Sequence, residues 1–184
     1  FKTIKQFEGQ ERPQSVAQAL RDNIGQFRQN LPVIRALCQE AFQPMHFMKL
    51  FDELEWEGDM EEGLTLAQLL EIGIMDSIDV VERISAEAQK QHSLKTQMAA
   101  MKREWKPMEF NVKDYKDTGT FVISGTDEIQ SLLDEHIVRT QSIRGSPFVK
   151  PIEKEVKDWE IKLVYIQDLL EQWLLVQRSW MYLE

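Results

Sequence analysis

The chain has 184 residues, 42% of them apolar and 29% charged, the balance of a folded soluble protein rather than a disordered tail. Its net charge of −9 argues against nucleic acid as the main partner, since phosphate binding needs a basic footprint. The single cysteine, Cys38, excludes an intrachain disulfide, and no window approaches the roughly 18 uninterrupted apolar residues of a membrane span.

Only 8 Gly and 6 Pro, among many Leu, Glu, Gln and Lys, favour helices. Phe1 to Glu11 is polar, with Ile4 and Phe7 at helical spacing, and reads as the end of a helix begun upstream; Phe1 to Arg12 has no apolar signal-peptide core. Pro13 and Ser15 then offer a helix start, with Ser15 as N-cap. Val16, Leu20, Ile24, Phe27 and Leu31 follow at steps of four, four, three and four, one stripe of an amphipathic helix. Pro32 interrupts it, giving either a kink or two consecutive helices through Phe42. Cys38, in VIRALCQEAF, is expected as a small buried hydrophobe. After Pro44 the run Met45 to Leu54 reads as a short helix with Phe47, Leu50, Phe51 and Leu54 inward and His46 at the surface or core edge. Glu55 to Gly63 is acidic and glycine-bearing, hence a solvated loop; it lacks the ligand spacing of a calcium loop.

Thr65 caps a helix through Ile72 that Gly73 ends, and Asp76 or Ser77 opens a longer one to Trp105. There Val80, Val81, Ile84, Ala88, Leu94, Met98, Met101 and Trp105 should face inward. The period then changes. Phe110 and Val112 alternate, Lys116-Asp117-Thr118-Gly119 supplies turn residues, and TFVIS (120–124) is β-branched and aromatic, so 109–124 is a β-hairpin that must lean on helices to persist. Gly125 ends it, and Thr126 with Asp127 caps a helix carrying Ile129, Leu132, Leu133, His136, Ile137 and Thr140. The turn RGSPF, Arg144 to Phe148, leads into the longest helix. Its apolar residues at Ile152, Val156, Trp159, Leu163, Ile166, Leu170 and Trp173 keep one stripe, and beyond Leu163 it becomes apolar around most of its circumference. Such a helix needs cover on several sides. With no Met at position 1 and the apolar pattern still running at Glu184, the chain reads as a segment of something longer.

The fold expected is mainly α: an elongated multi-helix bundle with one β-hairpin and a long C-terminal helix. One fragment should divide into a helical part (1–105), the hairpin (106–125) and two closing helices (126–184). Chemistry is sparse. There is no phosphate loop or dinucleotide turn, and His46, His92 and His136 have no ligand-type neighbour at metal spacing. Asp134-Glu135-His136 tempts an acid–base reading, but adjacent helical residues point apart, so a solvated helix face is the better account. No catalytic, cofactor-binding or metal residue is assigned, and the residues alone leave an interaction segment and a structural element both open.

From Tyr115 to Glu184 the chain closely resembles the linker region of dynein heavy chains. The resemblance is carried by the turn Asp117 to Phe121 (DTGTF), the segment Asp127 to Ile137, the turn Arg144 to Phe148 (RGSPF), and the ending from Trp173 to Glu184 with its Val-Gln-Arg (176–178) and Tyr-Leu-Glu (182–184). Leu31 to Phe47 is similar to the family's upstream helices, with Met45 and Phe47 where the family usually has Arg and Trp about the His. The DTGTF and RGSPF forms look more axonemal than cytoplasmic. The resemblance implies a lever without catalysis of its own, bending and straightening as a ring of ATPase modules outside this segment hydrolyses ATP with Mg. Its partners would then be the rest of the heavy chain and, through the parent alone, microtubules in the axoneme, with no nucleic acid or membrane partner. A static helical scaffold or tail-type binding module is the alternative. Two groups of residues follow as expectations. Lys116, Asp117, Thr118, Gly119, Arg144, Gly145, Ser146, Pro147 and Phe148 lie in turns expected near contacts with the rest of the motor. Trp173, Leu174, Val176, Trp180 and Leu183 are expected to pack against the remaining linker.

Overall fold

The computed structural model describes residues 11–56 and 64–184, so the expectations for the N-terminal decapeptide and for most of the acidic loop lie outside the described residues. Among the described residues there are seven α-helices and one two-stranded antiparallel sheet: α1 (Glu11–Gln29), α2 (Leu31–Leu37), α3 (Pro44–Glu53), α4 (Leu66–Glu71), α5 (Ile78–Glu104), β1 (Asn111–Tyr115), β2 (Thr120–Ser124), α6 (Asp127–Arg144) and α7 (Glu153–Leu183). The chain is mainly α with a hairpin and a long terminal helix, as its composition and periods predict. It divides into two compact units, 1–89 and 90–184, with α5 contributing residues to each.

In the first unit, the proline question resolves as two helices. α1 ends at Gln29, and Pro32 occupies the first turn of α2, where its missing N–H would have had no partner anyway. Ser15 is not an N-cap: it lies inside α1, and its hydroxyl donates to the Arg12 carbonyl at 2.9 Å. Cys38 is exposed rather than buried, because α2 stops at Leu37 and the cysteine becomes the C-cap, turned off the apolar stripe. His46, by contrast, is buried; it sits at the third position of α3, where its Nδ1 accepts the backbone N–H of Gln43 at 2.9 Å. Aromatic rings gather there, Phe42 edge-on to Phe47 at 4.7 Å and Phe51 to Trp56 at 4.5 Å between centroids. Leu50, Ile74, Val81 and Ile84 are fully enclosed in the core of this unit. Each such side chain contributes about 1.5–3 kcal/mol by leaving water. Thr65 caps α4 by accepting the Gln68 N–H, and Gly73 (φ +75) makes the left-handed exit.

In the second unit α6 packs against α7 over most of its length. One cluster joins Met98 and Met101 of α5 to Ile143, Val149 and Val156; a second joins Ile129 and Leu133 of α6 to Leu163 and Leu170 of α7. Thr126 occupies the N-cap position of α6 without a side-chain hydrogen bond; its carbonyl instead accepts Gln130 N–H at 2.9 Å. At the start of α7, a hydrogen bond from Lys157 and then its charge hold the exposed Glu153 carboxyl below the usual carboxylate range. The hairpin pairs Asn111 with Ser124 and Tyr115 with Thr120. It leans on the last turns of α7: the Tyr115 ring meets Trp180 at 5.1 Å, and its hydroxyl donates to the Met181 carbonyl at 3.2 Å.

Candidate functional site: the apolar face of the terminal helix and hairpin

Helix α7 runs for 31 residues, so three- and four-residue steps cannot bury everything apolar on it. One stripe, Val156, Leu163 and Leu170, is buried under α6. The residues added around the cylinder are not. Trp173 is 53% exposed, Leu169 49%, Val176 66% and Leu183 83%. Trp173 stands between two apolar grooves that share it and Leu169. The first, about 470 Å³, lies between α7 and β2, against Phe121, Val122, Val176 and Trp180. The second, about 480 Å³, is floored by Ile166 and Leu170 and walled by Trp105, Phe110 and Val112. Gln172 and Gln177 edge the first groove, and Glu109 is the charged residue lining the second. A continuous apolar surface with aromatic ridges is the kind of patch that marks an interaction site.

Of the five residues expected to pack against the remaining linker, Trp173, Val176 and Leu183 are therefore exposed here. Leu174 and Trp180 are half-buried, the first against the α6–α7 core and the second against Tyr115. The two turns are not brought together. The 116–119 turn is the hairpin tip beside the end of α7, whereas 144–148 precedes its start, roughly 40 Å away along the axis at 1.5 Å per residue. At the tip, Lys116 takes a positive φ of 47, holds its ammonium 4.8 Å from the Tyr115 ring, and leaves the return to Gly119 at φ 71. In the other turn Arg144 reaches Glu160 of α7 at 2.7 Å, and the Phe148 N–H donates to the Ser146 hydroxyl at 3.3 Å.

His136 corrects the sequence reading. It is not part of a solvated face but wholly buried, because 129, 133, 136, 140 and 143 form the inward stripe of α6. The indole N–H of Trp105 donates to its Nδ1 at 2.9 Å, and its Nε2 lies 3.1 Å from the Glu104 carboxylate. An indole can only donate, so Nδ1 is the acceptor and Nε2 carries the proton. Asp134 and Glu135 remain exposed and engage Gln167 and Arg139 instead. No single-residue signal marks this relay in sequence, since its partners are 31 and 32 residues apart.

Among the described residues no group of three His, Cys, Asp or Glu side chains is placed to hold a metal ion, and no helix is long and apolar enough to cross a membrane. What the second unit does present is an exposed apolar and aromatic face on a long helix of a mainly helical segment. The chain belongs to the family described as dynein heavy chain, N-terminal region 2, which it matches over residues 1–184 and which is the linker region of those proteins. It is 35% identical over its whole length to dynein axonemal heavy chain 3 of Homo sapiens and 37% identical over 183 residues to dynein axonemal heavy chain 1 of Rattus norvegicus. Dynein axonemal heavy chain 12 of Rattus norvegicus is 40% identical over 139 residues, 76% of the chain. The chain spans 4% of the length of each of these relatives.

Proposed function

We propose that this segment is part of a mechanical lever in an axonemal dynein heavy chain, carrying an ATP-driven change in a motor ring outside these residues into movement along microtubules in the cilium. In this reading ATP and Mg act in the parent protein and the segment bears load. The observation that supports it most is the exposure of Trp173 and Val176 on a long helix, in a chain that belongs to the linker family along its full length. A lever must be stiff along its length and must attach to what it moves. Helix α7 supplies the first through 31 continuous residues packed on α6, and the two grooves beside Trp173 offer the second.

The turns 116–119 and 144–148 are proposed as further contacts with the rest of the motor. The test is made in the complete heavy chain. Replacing Trp173 and Val176 together by Ser should leave ATP turnover standing while microtubule gliding slows by at least about fivefold, the low end of typical coupling between sites. Gliding and turnover both unchanged would return the segment to a static scaffold. Neutral substitutions at Lys116 and Asp117 that leave gliding unaltered would remove the hairpin tip from the reading.

A further inference from the structure

Helix α1 carries an apolar stripe that the first unit does not cover. Val16 is 69% exposed, Leu20 60%, Ile24 52% and Phe27 52%, and no residue from 12 to 29 is buried. The core of that unit begins only at Val33. A 19-residue helix containing Pro13 and Gly25 has little reason to persist in water on propensity alone. At about 100° per residue, Val16, Leu20, Ile24 and Phe27 fall within a sector roughly 80° wide. Arg12 borders one side of that sector and Arg28 the other. The Asp22 carboxylate lies on the opposite side of the helix, where it accepts the Gln18 amide at 3.0 Å.

We infer that this stripe is the docking surface for an acidic amphipathic helix that lies elsewhere in the same heavy chain, beyond these 184 residues. The charge pattern selects the occupant. A helix whose apolar stripe is flanked by Asp or Glu would pair with Arg12 and Arg28. Size selects the source. The stripe from Val16 to Phe27 covers roughly 200 Å² at 1.5 Å per residue and about 10 Å width, far short of the ~800 Å² per partner of a stable complex between separate chains. Tethering within one polypeptide removes that shortfall by raising the effective concentration. The chain spans 4% of its relatives' length, so most of the covalently linked protein is available to supply the helix. The inference does not depend on the lever reading, and loss of motor coupling leaves it untouched.

The experiment uses the complete heavy chain. Amide hydrogen exchange across residues 16–27 should be protected, and Arg12→Glu with Arg28→Glu should speed it by about tenfold or more while the amides of Leu50 and Ile84 keep their protection as a folding control. Arg28→Lys then places an amine for zero-length carbodiimide cross-linking, which should join Lys to a carboxylate in an amphipathic segment of the same polypeptide outside residues 1–184. Mixing isotope-labelled and unlabelled heavy chains distinguishes this from a second copy. Protection that survives the charge reversal overturns the inference. So does a cross-link from position 28 to a carboxylate within residues 1–184, to a second copy or to another subunit, and so does the absence of any cross-link from that position.

Discussion

The side-chain amide of Gln177 pairs with both backbone groups of Ile123, accepting its N–H at 2.8 Å and donating to its carbonyl at 2.9 Å. Ile123 is opposite Val112 in the hairpin, so with both its groups turned to α7 this is a non-hydrogen-bonded pair of the ladder. Gln177 thus takes the place of a third strand and closes one edge of a sheet too small to stand by itself.

Gln177→Ala should therefore loosen the hairpin rather than the helix. Leaving two half-buried backbone groups unpaired costs about 1–3 kcal/mol. Exchange at the Ile123 amide should accelerate by about tenfold or more, with α6 amides unaffected. If Ile123 exchanges as before, the carboxamide is not holding the strand.

Trp105→Phe should destabilise the second unit by about 1–3 kcal/mol, because it leaves the Nδ1 of a fully buried histidine without its donor. Nitrogen NMR of the unmodified chain should find the proton of His136 on Nε2. A proton on Nδ1 would contradict the relay from Trp105 to Glu104.

Trp159 behaves oppositely. Its indole nitrogen is buried with no hydrogen-bond partner, while Lys102 stands 5.6 Å from its ring. Trp159→Phe removes the orphaned donor and keeps much of the apolar bulk, so the unfolding free energy should stay within ~1 kcal/mol of the parent or rise. A loss of 3 kcal/mol or more, the order of an aromatic-to-Ala truncation, would show that packing of the larger ring dominates.

Two glycines separate backbone need from other demands. Gly119 sits at φ +71, where an alanine costs about 1–2 kcal/mol. Gly145 caps α6 at φ −73, and an added Cβ would meet only the carbonyls of Gln141 and Ser142 at 3.6 Å. Gly145→Ala should accordingly be neutral or stabilising by about 0.4–1 kcal/mol in thermal unfolding. If the same substitution slows gliding of the complete motor, the turn's glycine serves a contact outside this unit.

Local periodicity carried much of the reading. The step from 3.6 to 2 expected at Glu109, the turn residues at 116–119 and the restart at Thr126-Asp127 placed the hairpin and the helix that follows it, because hydrogen bonding within a helix or a tight hairpin is a short-range matter. The same local rules failed at cap and edge positions. Cys38 and Ser15 shifted role when a helix boundary moved by a few residues, His136 went from a solvated face to the interior, and His46, expected at the surface or core edge, is buried.

The amino-acid sequence by itself determined the mainly helical class, the single hairpin, the overlong apolar helix and, through its motifs, the dynein linker family. Only the tertiary structure decided which side of α7 is spent on α6, leaving Trp173 and Val176 outward, and which polar side chain closes the hairpin edge. The reason is range. A stripe's period is written in neighbours three and four apart, whereas Gln177 meets Ile123 across 54 residues and Trp105 meets His136 across 31. Pairings at that separation follow from how elements pack, which no window along the chain contains.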